Sequence, residues 1–184
     1  MKKAKKITLA AILAALGVTL MYLGAFIQVL DLSVVAIASV LVIFARIELG
    51  SPYDWLTYAV TGILSAIMIG SVNFVIPVLY LSFAGIYPIL KAYFEHLRRP
   101  IAYLVKGAYF AVASLLLVLG AYLLSEFVLG VPLLSPALAG YTAVILIALY
   151  VLIFLMCFVY DLLLSHLVVI YMLKIRPKIA SVLK

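Results

Sequence analysis

The amino-acid sequence predicts an all-α membrane protein, a bundle of six transmembrane helices with both termini in the cytoplasm. Apolar residues make up 70% of the 184 residues and charged residues only 10%, whereas soluble domains contain about 45–50% and about 25%. Long apolar runs follow one another along the chain, and basic residues are confined to alternate gaps between them. Because no long polar segment separates the runs, we expect a single integral membrane domain over residues 1–184.

The apolar runs define the predicted spans, since a spanning helix needs about 20 apolar residues. We place the six spans at about 7–29, 32–44, 55–69, 74–94, 101–128 and 139–173. The first is too long for the apolar region of a cleaved signal peptide and is expected to be retained. The second is short, and the sixth is long enough that it either tilts strongly or has one end in the interface.

Turn and capping residues explain the breaks between the spans. Asp31 and Ser33 are predicted to cap the second helix, and Asp54 the third, by accepting hydrogen bonds from free backbone N–H groups. Pro77 and Pro88 lie inside the fourth span and are expected to bend it.

The distribution of lysine and arginine predicts the orientation. All 13 lie in four clusters: Lys2, Lys3, Lys5 and Lys6; Arg46; Lys91, Arg98, Arg99 and Lys106; and Lys174, Arg176, Lys178 and Lys184. Cytoplasmic loops are enriched in basic residues, and six crossings from a cytoplasmic N-terminus place every cluster at or near the cytoplasmic side. Five spans would break this agreement at the C-terminus. The predicted partner of these cations is anionic membrane lipid, not nucleic acid.

The first span carries small residues at helical spacing. Ala10, Ala14, Gly17 and Gly24 share one face, and Ala11 with Ala15 repeats the spacing one step along. Small residues let helix backbones approach closely in lipid, where apolar burial does not drive association. This pattern is compatible with packing inside the protein's own bundle or with docking to a partner.

Two segments resemble the substrate-binding S-components of energy-coupling-factor (ECF) vitamin transporters. The first is 6–17, KITLAAILAALG, with its paired small-residue motifs; the second is 46–50, RIELG, leading into 56–64, LTYAVTGIL. The resemblance implies that Ala10, Ala11, Ala14, Ala15 and Gly17 dock on a transmembrane coupling protein driven by two ATPases. It also implies capture of a small vitamin-like molecule from outside, although the stretch 85–91, GIYPILK, matches no vitamin specificity.

Polar residues predicted in the outer half of the bundle are candidate ligand contacts, because burying them in lipid is expensive. These residues are Gln28, Asp31, Asn73, Tyr80, Tyr122 and Glu126. Each has a structural alternative: a helix cap for Asp31, a turn residue for Asn73, and an interfacial aromatic belt for the tyrosines. Since carboxylates occur there without basic residues, a neutral or cationic ligand is favoured over an anion.

Asp161 lies in the middle of the sixth apolar run, where an acid must face the bundle, pair or become protonated. Lys106 and Lys91 are possible cross-helix partners, whereas His166 is about 140° round the helix and badly placed. We therefore expect either a structural ion pair or a role in binding or transport. Arg46, Glu48 and Asp54 are expected to form a solvent-exposed joint, with contact to a partner protein as the alternative.

The sequence does not favour an enzyme. It contains no paired-histidine metal motif, no Gly-x-Ser-x-Gly turn and no Gly-rich phosphate loop. No cofactor or metal is therefore expected. Two further alternatives are a scaffolding membrane protein, similar in layout to rod-shape proteins, and a stand-alone small transporter.

Overall fold

The computed structural model describes residues 3–27, 30–123 and 140–176, and within these ranges the backbone forms only helices and short turns. The helices in chain order are α1 (Lys3–Ala25), α2 (Asp31–Glu48), α3 (Tyr53–Ile69), α4 (Val75–Leu79), α5 (Tyr87–Phe94), α6 (Arg99–Leu123) and α7 (Thr142–Ile170). Two π-helical segments, Tyr80–Ala84 and Tyr171–Ile175, follow α4 and α7. The predicted all-helical class is confirmed for the described residues.

Among the residues that the structure describes, four helical stretches are long and apolar enough to cross a membrane: Lys3–Ala25, Val75–Phe94, Arg99–Leu123 and Thr142–Lys174. Each of the six predicted spans overlaps a helical stretch, although residues 28–29, 124–128 and 139 of these spans lie outside the described part of the chain. The second was predicted too short, because α2 continues through Arg46 to Glu48 and reaches 18 residues.

The fourth predicted span is interrupted where proline chemistry requires it. Pro88 has no N–H to donate to the carbonyl four residues earlier, and the chain widens into the π-helical segment just before it. There the Gly85 N–H bonds to the Tyr80 carbonyl, five residues back, at 2.8 Å. Pro77 lies in the first turn of α4, where a missing N–H costs nothing, whereas the helix is interrupted immediately before Pro88.

The residues group into two compact units, Met1–Ala102 (unit 1) and Tyr103–Lys184 (unit 2). Unit 1 contains α1 to α5 and the first turn of α6, and unit 2 contains the rest of α6 and α7. That the whole chain forms one integral membrane domain stays a prediction.

Unit 1 has two distinct ends. Near the start of α1, the Lys6 ammonium donates to the Leu49 carbonyl after α2, at 2.9 Å, and lies 5.4 Å from the ring centre of Tyr53, where α3 begins. At the end of α2, the Arg46 guanidinium lies 4.6 Å from the ring centre of Tyr93, near the end of α5. We call this the basic end. The opposite end, with the start of α2 and the α3–α4 turn, we call the Asp31 end.

Close packing of α1 on α3 holds unit 1 together. A Cβ atom added at Gly17 would lie 3.0 Å from the Thr61 Cγ2 methyl, and the Thr61 hydroxyl lies 3.5 Å from the Ala14 carbonyl. Thr57, Thr61 and Ser65 are buried on the matching face of α3. Small side chains on one helix and short hydroxyl side chains on the other let the two backbones approach.

Candidate functional site

Two predicted ligand residues, Asp31 and Asn73, meet at the Asp31 end. The Asn73 Nδ2 donates to Asp31 Oδ2 at 3.0 Å, although 42 residues separate them along the chain. The Asn73 Oδ1 accepts from the Val75 backbone N–H at 3.1 Å, and this contact fixes the orientation of the amide. Asn73 is therefore both a turn residue and a positioning group for the carboxylate.

The second carboxylate oxygen of Asp31, Oδ1, is buried and has no hydrogen-bond partner among the described residues. The predicted capping role is wrong: α2 is preceded by Leu30, and no side chain caps it. Asp31 is the first residue of the helix, so its carboxylate is not used as a cap. A buried acceptor without a donor is unfavourable by about 1–3 kcal/mol, so this oxygen is suited to receive a donor from outside the described chain.

The segments that form the Asp31 end of unit 1 contain no positively charged side chain. The sequence contains no Lys or Arg in 7–45 or in 55–90, the segments that supply this end of unit 1. No basic side chain from these segments neutralises the carboxylate. A ligand group that donates a hydrogen bond, such as an amide N–H or an ammonium, complements the site, whereas an anion would be repelled.

The remaining predicted ligand residues are distributed differently. Gln28 and Glu126 lie outside the described residues, and Tyr122 is a half-buried residue in the last turn of α6 in unit 2. Tyr80 is fully buried inside unit 1, so the interfacial-belt alternative is wrong for this tyrosine. Their contact with a ligand stays a prediction.

Tyr80 lies in a tight aromatic cluster that the sequence analysis missed. Its ring stacks on Tyr58, with 5.9 Å between ring centres and 29° between planes. A Cβ atom added at Gly85 would lie 2.7 Å from the Tyr80 ring. The Tyr58 hydroxyl donates to the Leu81 carbonyl in the π-helical segment at 2.7 Å. The distinctive stretch 85–91 was the available signal, since its glycine makes room for these rings.

Asp161, in unit 2, pairs with Lys106 across α6 and α7. The Lys106 ammonium lies 3.4 Å from Asp161 Oδ2, and the two side chains are 12% and 16% exposed. One of the two expected partners is thus confirmed. His166 instead places Nδ1 2.9 Å from the Leu162 carbonyl of its own helix, which agrees with its predicted poor position. A binding role for Asp161 stays a prediction.

The expected solvent-exposed joint at the basic end is wrong for Asp54, while Arg46 and Glu48 are half-buried. Asp54 is fully buried, and its Oδ2 accepts from the Arg46 guanidinium at 2.7 Å. Its Oδ1 accepts from the Trp55 backbone N–H at 2.9 Å. Asp54 therefore accepts a hydrogen bond from the first turn of α3, as predicted for a cap, but the cap position itself is occupied by Pro52. Because Arg46 also stacks on Tyr93, one guanidinium links α2, α3 and α5.

The two small-residue motifs of α1 face different surroundings. Ala10, Ala14 and Gly17 are buried within unit 1, so the packing alternative describes them. Ala11 and Ala15 are exposed.

The exposed motif is part of a longer stripe on α1. Its members recur at helical spacing, are small and are exposed: Ala4, Thr8, Ala11, Ala15 and Thr19. The hydroxyls of Thr8 and Thr19 donate to carbonyls four residues earlier in the helix, at 3.0 and 2.9 Å, so neither exposed hydroxyl lacks an acceptor for its proton. We call these five residues the exposed small-residue stripe.

Comparison with known proteins adds no family to this description. No family model, no curated protein and no solved structure matches the chain.

Proposed function

We propose that this protein is a membrane-embedded solute-binding subunit of an ECF-type uptake transporter, with six spans in the cell membrane and both termini in the cytoplasm. The observation that carries the proposal is the Asp31–Asn73 pair, whose buried Oδ1 lacks a donor among the described residues. An intramembrane carboxylate held in place by an amide, at an end without basic residues, is suited to binding.

The ligand is a small neutral or cationic molecule that donates a hydrogen bond to Asp31. The basic end lies on the cytoplasmic side, because basic residues prefer that side, so the Asp31 end faces outward and receives the ligand there. The ATPase activity comes from other chains, since the sequence contains no nucleotide-binding loop.

Removing the Asp31 charge should weaken ligand binding while leaving the fold intact. A tight ligand at a thousand-fold excess over its Kd raises the free energy of unfolding by about 4 kcal/mol. In Asp31→Asn we expect Kd to rise about 10- to 100-fold, because a hydrogen bond to a charged group contributes about 1.5–3 kcal/mol. Thermal unfolding of the detergent-solubilised protein with a panel of cationic, neutral and anionic micronutrients measures this.

The matched control is Glu48→Gln, which removes a carboxylate from the other end of α2, about 26 Å away at 1.5 Å per residue. It should keep the ligand-induced shift. If no compound in the panel stabilises the wild-type protein, the scaffolding alternative is favoured. If binding survives in Asp31→Asn, the assigned site is wrong.

The exposed small-residue stripe is the proposed docking face for the coupling protein. Large side chains at Ala11 and Ala15 would hold a partner helix away, because close approach depends on small residues. We expect Ala11→Leu combined with Ala15→Leu to lose copurification of the coupling protein and ATPases from membranes while ligand binding is unchanged.

Ile12→Val combined with Leu16→Val is the control for this experiment, since both residues are exposed on α1 outside the stripe. It should retain the complex. A partner complex that survives in the leucine variant would place docking elsewhere. Uptake by proteoliposomes that contain this chain alone would instead favour a stand-alone transporter.

A further inference from the structure

The basic end of unit 1 contains basic side chains that are already engaged within the protein. Arg46 lies 2.7 Å from Asp54, and the buried Lys91 lies 3.6 Å from Glu95 on the next turn. Lys6 donates to the Leu49 carbonyl. These three cations stabilise the fold and are largely withdrawn from solvent.

Four other basic residues at this end are exposed, and their side chains make no ion pair or hydrogen bond with any residue that the structure describes: Lys3, Lys5, Arg98 and Arg99. Lys3 and Lys5 lie in the first turn of α1. Arg98 and Arg99 lie four and five residues beyond the end of α5, where α6 begins. We call these four residues the free basic group.

Two observations place the free basic group at the level of lipid headgroups. Lys3 and Arg99 are the first residues of two helices that are long and apolar enough to cross a membrane. Exposed aromatic side chains, Trp55 at 36% and Tyr93 at 45%, lie at the same end of unit 1. Tryptophan and tyrosine concentrate where the hydrocarbon meets the headgroups.

We propose that the free basic group is a binding surface for anionic phospholipids. The ligand chemistry is a phosphate anion, and its source is the bilayer, because the four cations lie exposed at the ends of apolar helices. Each lysine or arginine near an anionic membrane surface contributes about a fivefold preference for it. Unlike Arg46 and Lys91, these four have no acid of the described chain to compete with a headgroup. The proposal does not depend on solute binding or on a coupling protein.

The protein carries its own probe for this experiment. Trp55 is the single tryptophan of the chain, so tryptophan fluorescence reports on the basic end alone. The full chain is reconstituted in phosphatidylcholine with brominated phosphatidylglycerol or brominated phosphatidylcholine as the quencher. We expect brominated phosphatidylglycerol to quench Trp55 with at least about a fivefold preference over the zwitterionic lipid.

Neutralising the four residues together, as Lys3→Gln, Lys5→Gln, Arg98→Gln and Arg99→Gln, should remove the preference and leave quenching by brominated phosphatidylcholine unchanged. The unchanged zwitterionic signal also verifies that the variant is folded and inserted. The charge-retaining set Lys3→Arg, Lys5→Arg, Arg98→Lys and Arg99→Lys should keep the preference.

Three results would overturn the proposal. One is a phosphatidylglycerol preference that persists in the neutralised variant. Another is competition by soluble glycerol phosphate, which would make the surface a site for free phosphate esters. The third is equal quenching by both lipids in the wild-type protein. That result would indicate that these cations bind an acidic protein partner instead of lipid.

Discussion

Replacing Arg46 by alanine should lower the free energy of unfolding by about 3–5 kcal/mol, the usual effect of removing one partner of a buried ion pair. Asp54 would remain fully buried without the guanidinium that now lies 2.7 Å from its Oδ2. Because the same guanidinium lies over Tyr93, α5 would lose this contact with α2 as well. Unfolding of the purified protein by a denaturing detergent, followed by circular dichroism, measures the loss.

The loss of unfolding free energy in Arg46→Ala should come mainly from the Asp54 carboxylate, which stays buried without a positive partner. Combining Arg46→Met with Asp54→Leu should therefore recover most of the lost stability, because apolar residues of similar volume often replace a buried pair without loss. If the double variant is as unstable as Arg46→Ala, the interpretation as an orphaned charge is wrong, and packing around the guanidinium is the main contribution.

The second large effect is expected for Gly85→Ala, where one methyl group has no space. The new Cβ would lie 2.7 Å from Tyr80 Cζ and 2.9 Å from Tyr58 Cδ2. Tyr80 is fully buried and the Tyr58 hydroxyl is held by the Leu81 carbonyl, so neither ring can move freely. Overpacking of this kind costs about 1–3 kcal/mol, measured by the same unfolding experiment.

Gly107→Ala and Gly120→Ala are the controls, because a Cβ atom at either position would have nothing within 4 Å. Both should be neutral or slightly stabilising, since alanine is the better helix former. In a double-mutant cycle, Tyr80→Leu should reduce the cost of Gly85→Ala. Additive costs would show that the clash lies elsewhere.

The positions of the helices could be predicted because lipid imposes a local rule. A spanning helix must bond all its backbone groups internally, so apolar length and turn residues determine where it begins and ends. The Lys106–Asp161 pair follows from the same reasoning, since a carboxylate within a long apolar helix requires a partner. The helix interruption before Pro88 is likewise local, because the missing N–H belongs to the residue itself.

Predictions that depended on neighbours were less successful. The sequence predicts Asp54 in solvent because the segment between α2 and α3 is polar. It does not show that the turn brings the Asp54 carboxylate into contact with the Arg46 guanidinium. Asp31 was expected to cap α2, because sequence cannot show that Asn73, 42 residues later, would take one oxygen and leave the other buried.

The sequence by itself determined that the chain is helical and apolar, where its helices lie, and that basic residues occupy alternate gaps. Each of these follows from composition and short-range spacing. Only the tertiary structure decided which small-residue motif of α1 is covered and that Asp31 meets Asn73. Both depend on which faces of the helices pack together, and that choice rests on side-chain fit between segments far apart in the chain.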